Sequence, residues 1–198
     1  MNNKKVLLIL VLVFVLLMGG AYVLYTQMSQ GMDHPQLATQ PQQTQPAGAS
    51  VPTETQAPPT APDFTVYDRE GNAVKLSDYA GKPIVLNFWA SWCGPCQSEM
   101  PDFDEVHGQL GEEIQFLMVN VTDGDRETVE KAAAFVEEQG YTFPVFFDSE
   151  LSATQAYGAY SLPTTYFIDA EGFAVARAVG PINAETLQTG IDMLAPET

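Results

Sequence analysis

The sequence predicts an α/β fold in which helices cover both faces of a mixed central sheet. Along residues 63–198, short apolar runs rich in β-branched and aromatic residues alternate with segments of helical periodicity. Two further strand-like runs flank Ala170-Glu171-Gly172, and a helical pattern follows them. Alternating strands and helices favour parallel strands, while a closing hairpin adds antiparallel ones, so the predicted sheet is mixed.

Each predicted strand is an apolar run bounded by turn-forming or polar residues. The clearest one is Ile84–Trp89, which predicts a buried strand. Asp68-Arg69-Glu70-Gly71 separates the first two strands into an N-terminal β-hairpin. The seven predicted strands are residues 64–67, 73–76, 84–89, 114–121, 143–147, 164–169 and 173–179.

The predicted helices have an apolar face or end at a glycine. Residues 126–139 carry such a face, and Gly140 ends that helix. With the strand at 143–147, it forms a helix-strand insertion. The predicted helical segments are one turn at 77–81, then 96–108, 126–139 and 151–157, and a closing helix whose apolar face is Ala184, Leu187, Ile191 and Leu194.

The N-terminal part predicts a membrane anchor at residues 1–25. Lys4 and Lys5 precede the uncharged run from Val6 to Tyr25, which as a helix is about 30 Å long and matches the bilayer core. The positive-inside rule then places the following chain outside the cytoplasm. A cleaved signal peptide is the alternative, because Gly19 and Ala21 are small residues at a plausible cleavage spacing.

Residues 26–62 predict a disordered linker, since they are rich in Gln, Pro, Thr, Ala and Ser and lack apolar periodicity. Residues 63–198 then form the folded domain. All 25 acidic residues but only six of the eight basic ones follow residue 25, so the exported part carries a net charge of −19. That charge argues against nucleic acid and anionic lipid headgroups as partners.

The only two cysteines lie in Trp92-Cys93-Gly94-Pro95-Cys96, between the predicted strand 84–89 and the helix after it. Two thiols on one helical turn can alternate between dithiol and disulfide without unfolding the chain. Cys93 falls at the helix N-terminus, where unpaired N–H groups and the helix dipole favour a thiolate. We therefore expect Cys93 to be the attacking thiol and Cys96 the resolving thiol, with no cofactor.

Two other interpretations of the cysteine pair are weaker. A permanent structural disulfide across so short a loop would stabilise the fold little. A zinc or copper site normally needs further Cys or His ligands, and the chain has only His34, in the linker, and His107, far along the helix. No metal is expected.

The residues around the pair resemble a known family. Phe88 to Cys96 is similar to the active-site signature of the thioredoxin superfamily. The continuation Gln97-Ser98-Glu99-Met100-Pro101 and the later run Ser161 to Asp169 resemble the ResA/TlpA branch of membrane-anchored, extracytoplasmic thiol-disulfide oxidoreductases. The resemblance covers about residues 62–194 and implies a thioredoxin-like fold.

The resemblance also implies roles for individual residues. Pro163 occupies the position of the family's cis-proline, beside which the backbone of Leu162 would pair with an extended substrate segment. Glu99 matches a functional glutamate of this branch and would handle the proton of Cys96, because Asn87 stands where thioredoxins have a titratable aspartate. Next to Cys93, Trp92 is expected to form an apolar platform for substrate.

The expected function is reduction of disulfides in other exported proteins through a mixed disulfide at Cys93. Gly94 and Pro95 place no cation beside the thiolate, which favours the reducing direction. Family precedent implies a CcdA-like membrane electron donor and apocytochrome c as one acceptor. The alternatives are a disulfide-donating oxidase or isomerase, a copper-binding module, and a peroxidase, which would need Thr or Ser where Ala90 stands.

Overall fold

The computed structural model describes residues 58–194. The anchor predicted at 1–25 and most of the linker predicted at 26–62 lie outside these residues. Within the described part, none of the helices has the length and apolar character needed to cross a membrane. Ala61 donates a backbone hydrogen bond to Gly172, and Thr60 forms a β-bridge with Phe173. The end of the predicted linker is therefore hydrogen-bonded to the folded domain.

Within residues 58–194, seven strands form one mixed sheet in the order β2-β1-β5-β4-β3-β6-β7. β3, β4 and β5 run parallel, whereas β6, β7, β1 and β2 join through antiparallel pairs. β3 therefore lies inside the sheet, between β4 and β6. The strands are β1 Thr65–Tyr67, β2 Ala73–Lys75, β3 Ile84–Trp89, β4 Gln115–Asn120, β5 Val145–Phe147, β6 Thr164–Ile168 and β7 Ala174–Val179.

The part of the chain that the structure describes contains four α-helices and one 3₁₀ turn, and all but the last helix connect strands. They are the 3₁₀ turn Leu76–Tyr79, α1 Gly94–Leu110, α2 Val129–Gln139, α3 Ser152–Tyr157 and α4 Ala184–Asp192. The predicted N-terminal hairpin and the insertion formed by α2 and β5 are both present. The predicted α/β class and the mixed sheet are therefore confirmed, as is the hairpin followed by a helix at the C-terminal end of the domain.

The sheet separates two apolar cores. Along β3, Val85 and Trp89 belong to one core, and Leu86 and Phe88 belong to the other, because successive side chains point to opposite faces. The first core also receives side chains of α1, α2 and α4, and the second receives those of α3 and the 3₁₀ turn. Helices thus lie on both faces, and α1 shares a face with Val85 and Trp89.

Two helix starts differ from the predicted ones by more than one residue, and both differences come from caps. α1 begins at Gly94 rather than at residue 96, because the carbonyl of Cys93 already accepts from Gln97 N at 3.0 Å. α2 begins at Val129 rather than at residue 126, because the Thr128 side chain caps it by accepting from Lys131 N. Residues 126–128 therefore belong to a loop, which matters for the active site.

Candidate active site

The cysteine pair lies where β3 ends and α1 begins. A turn follows β3, in which Cys93 N donates to Ala90 O at 3.1 Å. Cys93 is the N-cap of α1, and its Sγ accepts from Cys96 N at 3.2 Å. The two sulfurs form a disulfide, with the Cα atoms 5.2 Å apart. The strand-turn-helix order thus places the first sulfur at the positive end of a helix, as the sequence suggested.

The two cysteines differ in their exposure to solvent. Cys93 is 5% exposed, whereas Cys96 is completely buried. An incoming sulfur would therefore meet Cys93 first, and Cys96 would react from behind it. This geometry is consistent with the predicted roles of Cys93 as the attacking thiol and Cys96 as the resolving thiol.

An open groove of about 900 Å³ adjoins Cys93. Trp92, 41% exposed, and Tyr160, 77% exposed, contribute large aromatic surfaces to it. Leu162 also lines the groove, and the Leu162–Pro163 peptide bond is cis, as expected from the resemblance. Trp92 and Leu162 thus lie together at the surface beside Cys93, where the sequence prediction places substrate binding.

Glu99 lies on α1, one turn after Cys96, and is 1% exposed. Its two carboxylate oxygens accept hydrogen bonds from Asn87 Nδ2 at 2.8 Å and from Ile182 N at 2.9 Å. Burial raises the pKa of Glu99 to about 8, although both hydrogen bonds act in the opposite direction. Glu99 is therefore a buried group that exchanges a proton near neutral pH, rather than an exposed helix glutamate.

Asn87 links Glu99 to the centre of the sheet. It is completely buried on β3, and its Nδ2 also donates to Thr165 Oγ1 on β6 at 3.0 Å. Its Oδ1 is buried without a hydrogen-bond partner. Rotation of the Asn87 amide would turn Oδ1 toward Glu99. This oxygen would then accept the hydrogen bond that a protonated Glu99 carboxyl donates.

The sequence prediction missed a second buried carboxylate near the site. Glu127, in the loop before α2, accepts hydrogen bonds from Ser91 and from Asn120. Asn120 ends β4, the parallel neighbour of β3, and a polar residue at that end of a buried strand was the one available signal. Nothing in the sequence pairs Ser91 with Glu127, which lies 36 residues further along the chain.

Comparisons with known proteins agree with this geometry. The family model described as AhpC/TSA matches residues 59–177. The thiol-disulfide oxidoreductase ResA of Geobacillus thermodenitrificans is 38% identical over 138 residues, which cover 69% of this chain and 77% of the relative. The chain belongs to the ResA family of thiol-disulfide oxidoreductases. The predicted family and enzyme class are therefore confirmed.

Solved structures lead to the same fold. A thiol:disulfide interchange protein of the thioredoxin family from Chlorobium tepidum has a TM-score of 0.60 at 26% identity, covering 70% of this chain and 97% of that one. The pneumococcal exposed lipoprotein thioredoxin of Streptococcus pneumoniae has a TM-score of 0.55 at 34% identity, covering 66% and 99%. The thioredoxin-like fold is thus confirmed, and this family acts on disulfide-bearing proteins.

A metal site at the cysteines would need further ligating side chains close to them. Within residues 58–194, no three His, Cys, Asp or Glu side chains come together as a group that could hold a metal ion.

Proposed function

We propose that this oxidoreductase reduces disulfides of exported proteins outside the cytoplasm, while its N-terminal helix holds it at the membrane. The Cys93 thiolate attacks one sulfur of a client disulfide, the client S–S bond breaks, and the released client thiolate takes a proton. Cys96, deprotonated, then attacks Cys93 Sγ and releases the second client thiolate. The client gains two electrons, and Cys93 and Cys96 become the disulfide seen in the structure.

The reducing direction is carried by the surroundings of the cysteines. Stabilising the thiolate of the reduced form makes the corresponding disulfide a strong oxidant. Without that stabilisation, the dithiol is a good reductant. Cys93 has the helix N-terminus, but Gly94 and Pro95 add no positive charge beside it. Above pH 8, Glu99 adds a negative charge one turn from Cys96, which further disfavours a thiolate there.

Glu99 is also suited to move the proton of Cys96. An ordinary cysteine thiol has a pKa of about 8.5, and the best proton acceptor has a similar pKa. Burial brings the pKa of Glu99 to about 8, which makes its carboxylate a stronger proton acceptor than an ordinary glutamate. Glu99 therefore accepts the Cys96 proton during client reduction and returns it when the enzyme is recharged.

The location is supported by the uncharged run from Val6 to Tyr25 with Lys4 and Lys5 before it. The similar protein of Streptococcus pneumoniae is described as an exposed lipoprotein. In an oxidising compartment the reductase needs an electron donor, for which we propose a CcdA-like membrane protein. Apocytochrome c, with its C-x-x-C-H segment, is a client of suitable chemistry.

The direction is tested by the reduction potential of the cysteine pair, measured by equilibrating the full-length protein in detergent with dithiothreitol or glutathione buffers. We expect a value near that of thioredoxin, about −270 mV. A value near about −120 mV, typical of DsbA, would make the protein a disulfide donor and overturn the proposed direction.

The location is tested by labelling intact cells with a membrane-impermeant maleimide. Cys93 and Cys96 are the only thiols in the chain, so labelling of the Cys96→Ser variant reports Cys93 alone. Labelling that needs no permeabilisation supports an extracytoplasmic domain, and labelling only after permeabilisation contradicts it.

The same variant, exposed to an oxidised C-x-x-C-H peptide, would trap the mixed disulfide if apocytochrome c is a client.

A further inference from the structure

Two adjacent residues in the loop before α2 contact the two residues that precede Cys93. The Glu127 side chain is completely buried. Its carboxylate accepts hydrogen bonds from Ser91 N and Ser91 Oγ, both at 2.7 Å, and from Asn120 Nδ2, also at 2.7 Å. One carboxylate therefore ties the turn before Cys93 to the end of β4.

Glu127 is itself fixed by its own backbone. Its N–H donates to Asp123 Oδ1 at 2.9 Å, and its carbonyl accepts from Gly124 N at 2.9 Å. The next residue, Thr128, is the N-cap of α2. Because the Glu127 backbone is fixed before α2 and its carboxylate also binds Asn120 at the end of β4, Ser91 is held in a defined position relative to α2 and β4.

Arg126 contacts the other residue of the turn. Its guanidinium carbon lies 3.5 Å from the centroid of the Trp92 ring, a cation–π arrangement at the protein surface. The Gln97 amide, on α1, donates to the carbonyl of Ser91. Both residues before Cys93 are thus held by side chains from outside their own turn.

We propose that Arg126 and Glu127 are positioning residues for disulfide exchange. Glu127 fixes Ser91, and Arg126 fixes Trp92, so that the Cys93 sulfur and the Trp92 indole are presented together to a client disulfide. Attack on an S–S bond requires alignment, and displacement of a reacting group by about 1 Å can cost about 100-fold in rate. The proposal rests on exchange at Cys93 and not on its direction or location.

Glutamine and alanine at position 127 separate hydrogen bonding from charge. In Glu127→Gln, the amide oxygen can accept from Ser91 N and Asn120 Nδ2, and the amide nitrogen can donate to the Ser91 hydroxyl. All three contacts are kept, while the negative charge is lost. In Glu127→Ala all three are lost. Glu130→Ala, an exposed glutamate in the first turn of α2, is the matched control.

The test uses the reduced full-length protein in detergent, with Cys96→Ser so that Cys93 is the only thiol. Mixed-disulfide formation with an oxidised C-x-x-C-H peptide is followed over peptide concentration, which gives a limiting rate and a half-saturating concentration. We expect Glu127→Ala to lower the limiting rate about 10-fold or more. Glu127→Gln should restore the parent rate, and Glu130→Ala should leave it unchanged.

Iodoacetamide alkylation across pH gives the second readout, because this small reagent needs no docking. We expect alkylation of Cys93 to change far less between variants than the peptide reaction does, since the α1 N-terminus is retained in all of them. A Glu127→Ala protein that reacts with peptide at the parent rate despite lower stability would show a structural role only. A folded Glu127→Gln protein as slow as Glu127→Ala would show that charge, not position, is what matters. Either result overturns the proposal.

Arg126→Gln is a second variant, which tests the proposal even if Glu127→Ala does not fold. Arg126 is exposed, so its replacement should leave the fold intact. We expect it to raise the half-saturating peptide concentration several-fold, since the Trp92 indole is then free to turn away. Lys82→Gln, which removes the same charge from the turn before β3, is its control. Equal values for Arg126→Gln and Lys82→Gln would overturn the role of Arg126. A parent protein that does not react with the peptide would instead contradict exchange with this client.

Discussion

Glu99 and Glu127 are two buried glutamates near the cysteine pair, and they have different surroundings. Glu99 follows the buried Cys96 along α1 and accepts two hydrogen bonds. Glu127 lies beside the turn before Cys93 and accepts three, all at 2.7 Å. One partner of Glu99 is an amide that can rotate, whereas two of the three donors to Glu127 belong to a single residue.

A buried glutamate can serve two purposes, proton exchange at Glu99 and the fixing of a loop at Glu127. At Glu99, loss of hydration outweighs the two hydrogen bonds and raises the pKa to about 8, which suits proton exchange. At Glu127, converging donors turn the carboxylate into a fixed acceptor that organises a loop. Glu127 thus acts as an anchor through its three hydrogen bonds, whereas Glu99 can exchange a proton because the effect of its burial outweighs its two hydrogen bonds.

The largest expected effect is on the pH dependence of stability through Glu99. Between pH 4.5 and 8 the unfolded chain has lost this proton while the native chain keeps it, so native stability falls as pH rises through this range. The loss is at most about 5 kcal/mol. Glu99→Gln cannot ionise, so above pH 8 we expect it to be more stable than the parent by up to this amount.

The measurement is urea unfolding of the oxidised protein from pH 4 to 9, with the disulfide keeping the cysteines from titrating. The other acidic residues are common to both proteins, so the difference between the two curves isolates Glu99. Curves that stay parallel from pH 4.5 to 9 would show that Glu99 has an ordinary pKa.

The next effect is on stability at Glu127. Glu127→Ala leaves the N–H and hydroxyl of Ser91 and the amide of Asn120 without their acceptor, at a cost of about 3 kcal/mol or more. Glu127→Gln keeps these contacts and should lose much less. Urea unfolding at pH 7 compares them, and equal losses in both variants would contradict the view of Glu127 as a hydrogen-bonded anchor.

A smaller effect is expected from Asn87→Ala. Its hydrogen bond lowers the pKa of Glu99, so its removal should move that pKa further above 8. Carboxyl-selective NMR titration of Glu99 in the oxidised protein would follow the shift. Thr165→Ala is the control, because it removes the other partner of Asn87 and leaves the contact with Glu99 in place. A pKa of Glu99 that falls in Asn87→Ala would refute this interpretation.

The smallest effect is expected at an exposed glutamate. Glu137 forms a 3.2 Å ion pair with Arg69, but both side chains are largely exposed. Such pairs contribute about 0–1 kcal/mol. Glu137→Gln should therefore change stability by less than about 0.5 kcal/mol and leave exchange rates unaltered, as urea unfolding and peptide reduction would show. A loss comparable to that of Glu127→Ala would remove the contrast between buried and exposed carboxylates.

Most of the secondary structure could be predicted because it depends on local signals. Ile84–Trp89 is a β-branched and aromatic run and forms β3 at the predicted bounds. Gly140, with a φ of 74°, ends α2 where expected. Most other bounds differ by one or two residues, and the largest difference is the start of α2. At β5, Pro144 has no N–H to donate, and the strand begins at Val145.

The sequence by itself determined the fold class, because the local pattern of each segment indicates a strand or a helix and their order gives the class. It also determined the cysteine pair and its place at a helix N-terminus, which are encoded within a few neighbouring residues. Spacing along α1 also put Glu99 one turn after Cys96. Only the tertiary structure decided that Glu99 is buried against Asn87 and Ile182, which raises its pKa. It alone joined Glu127 to Ser91, since sheet pairing and loop packing bring together residues that are distant in the chain.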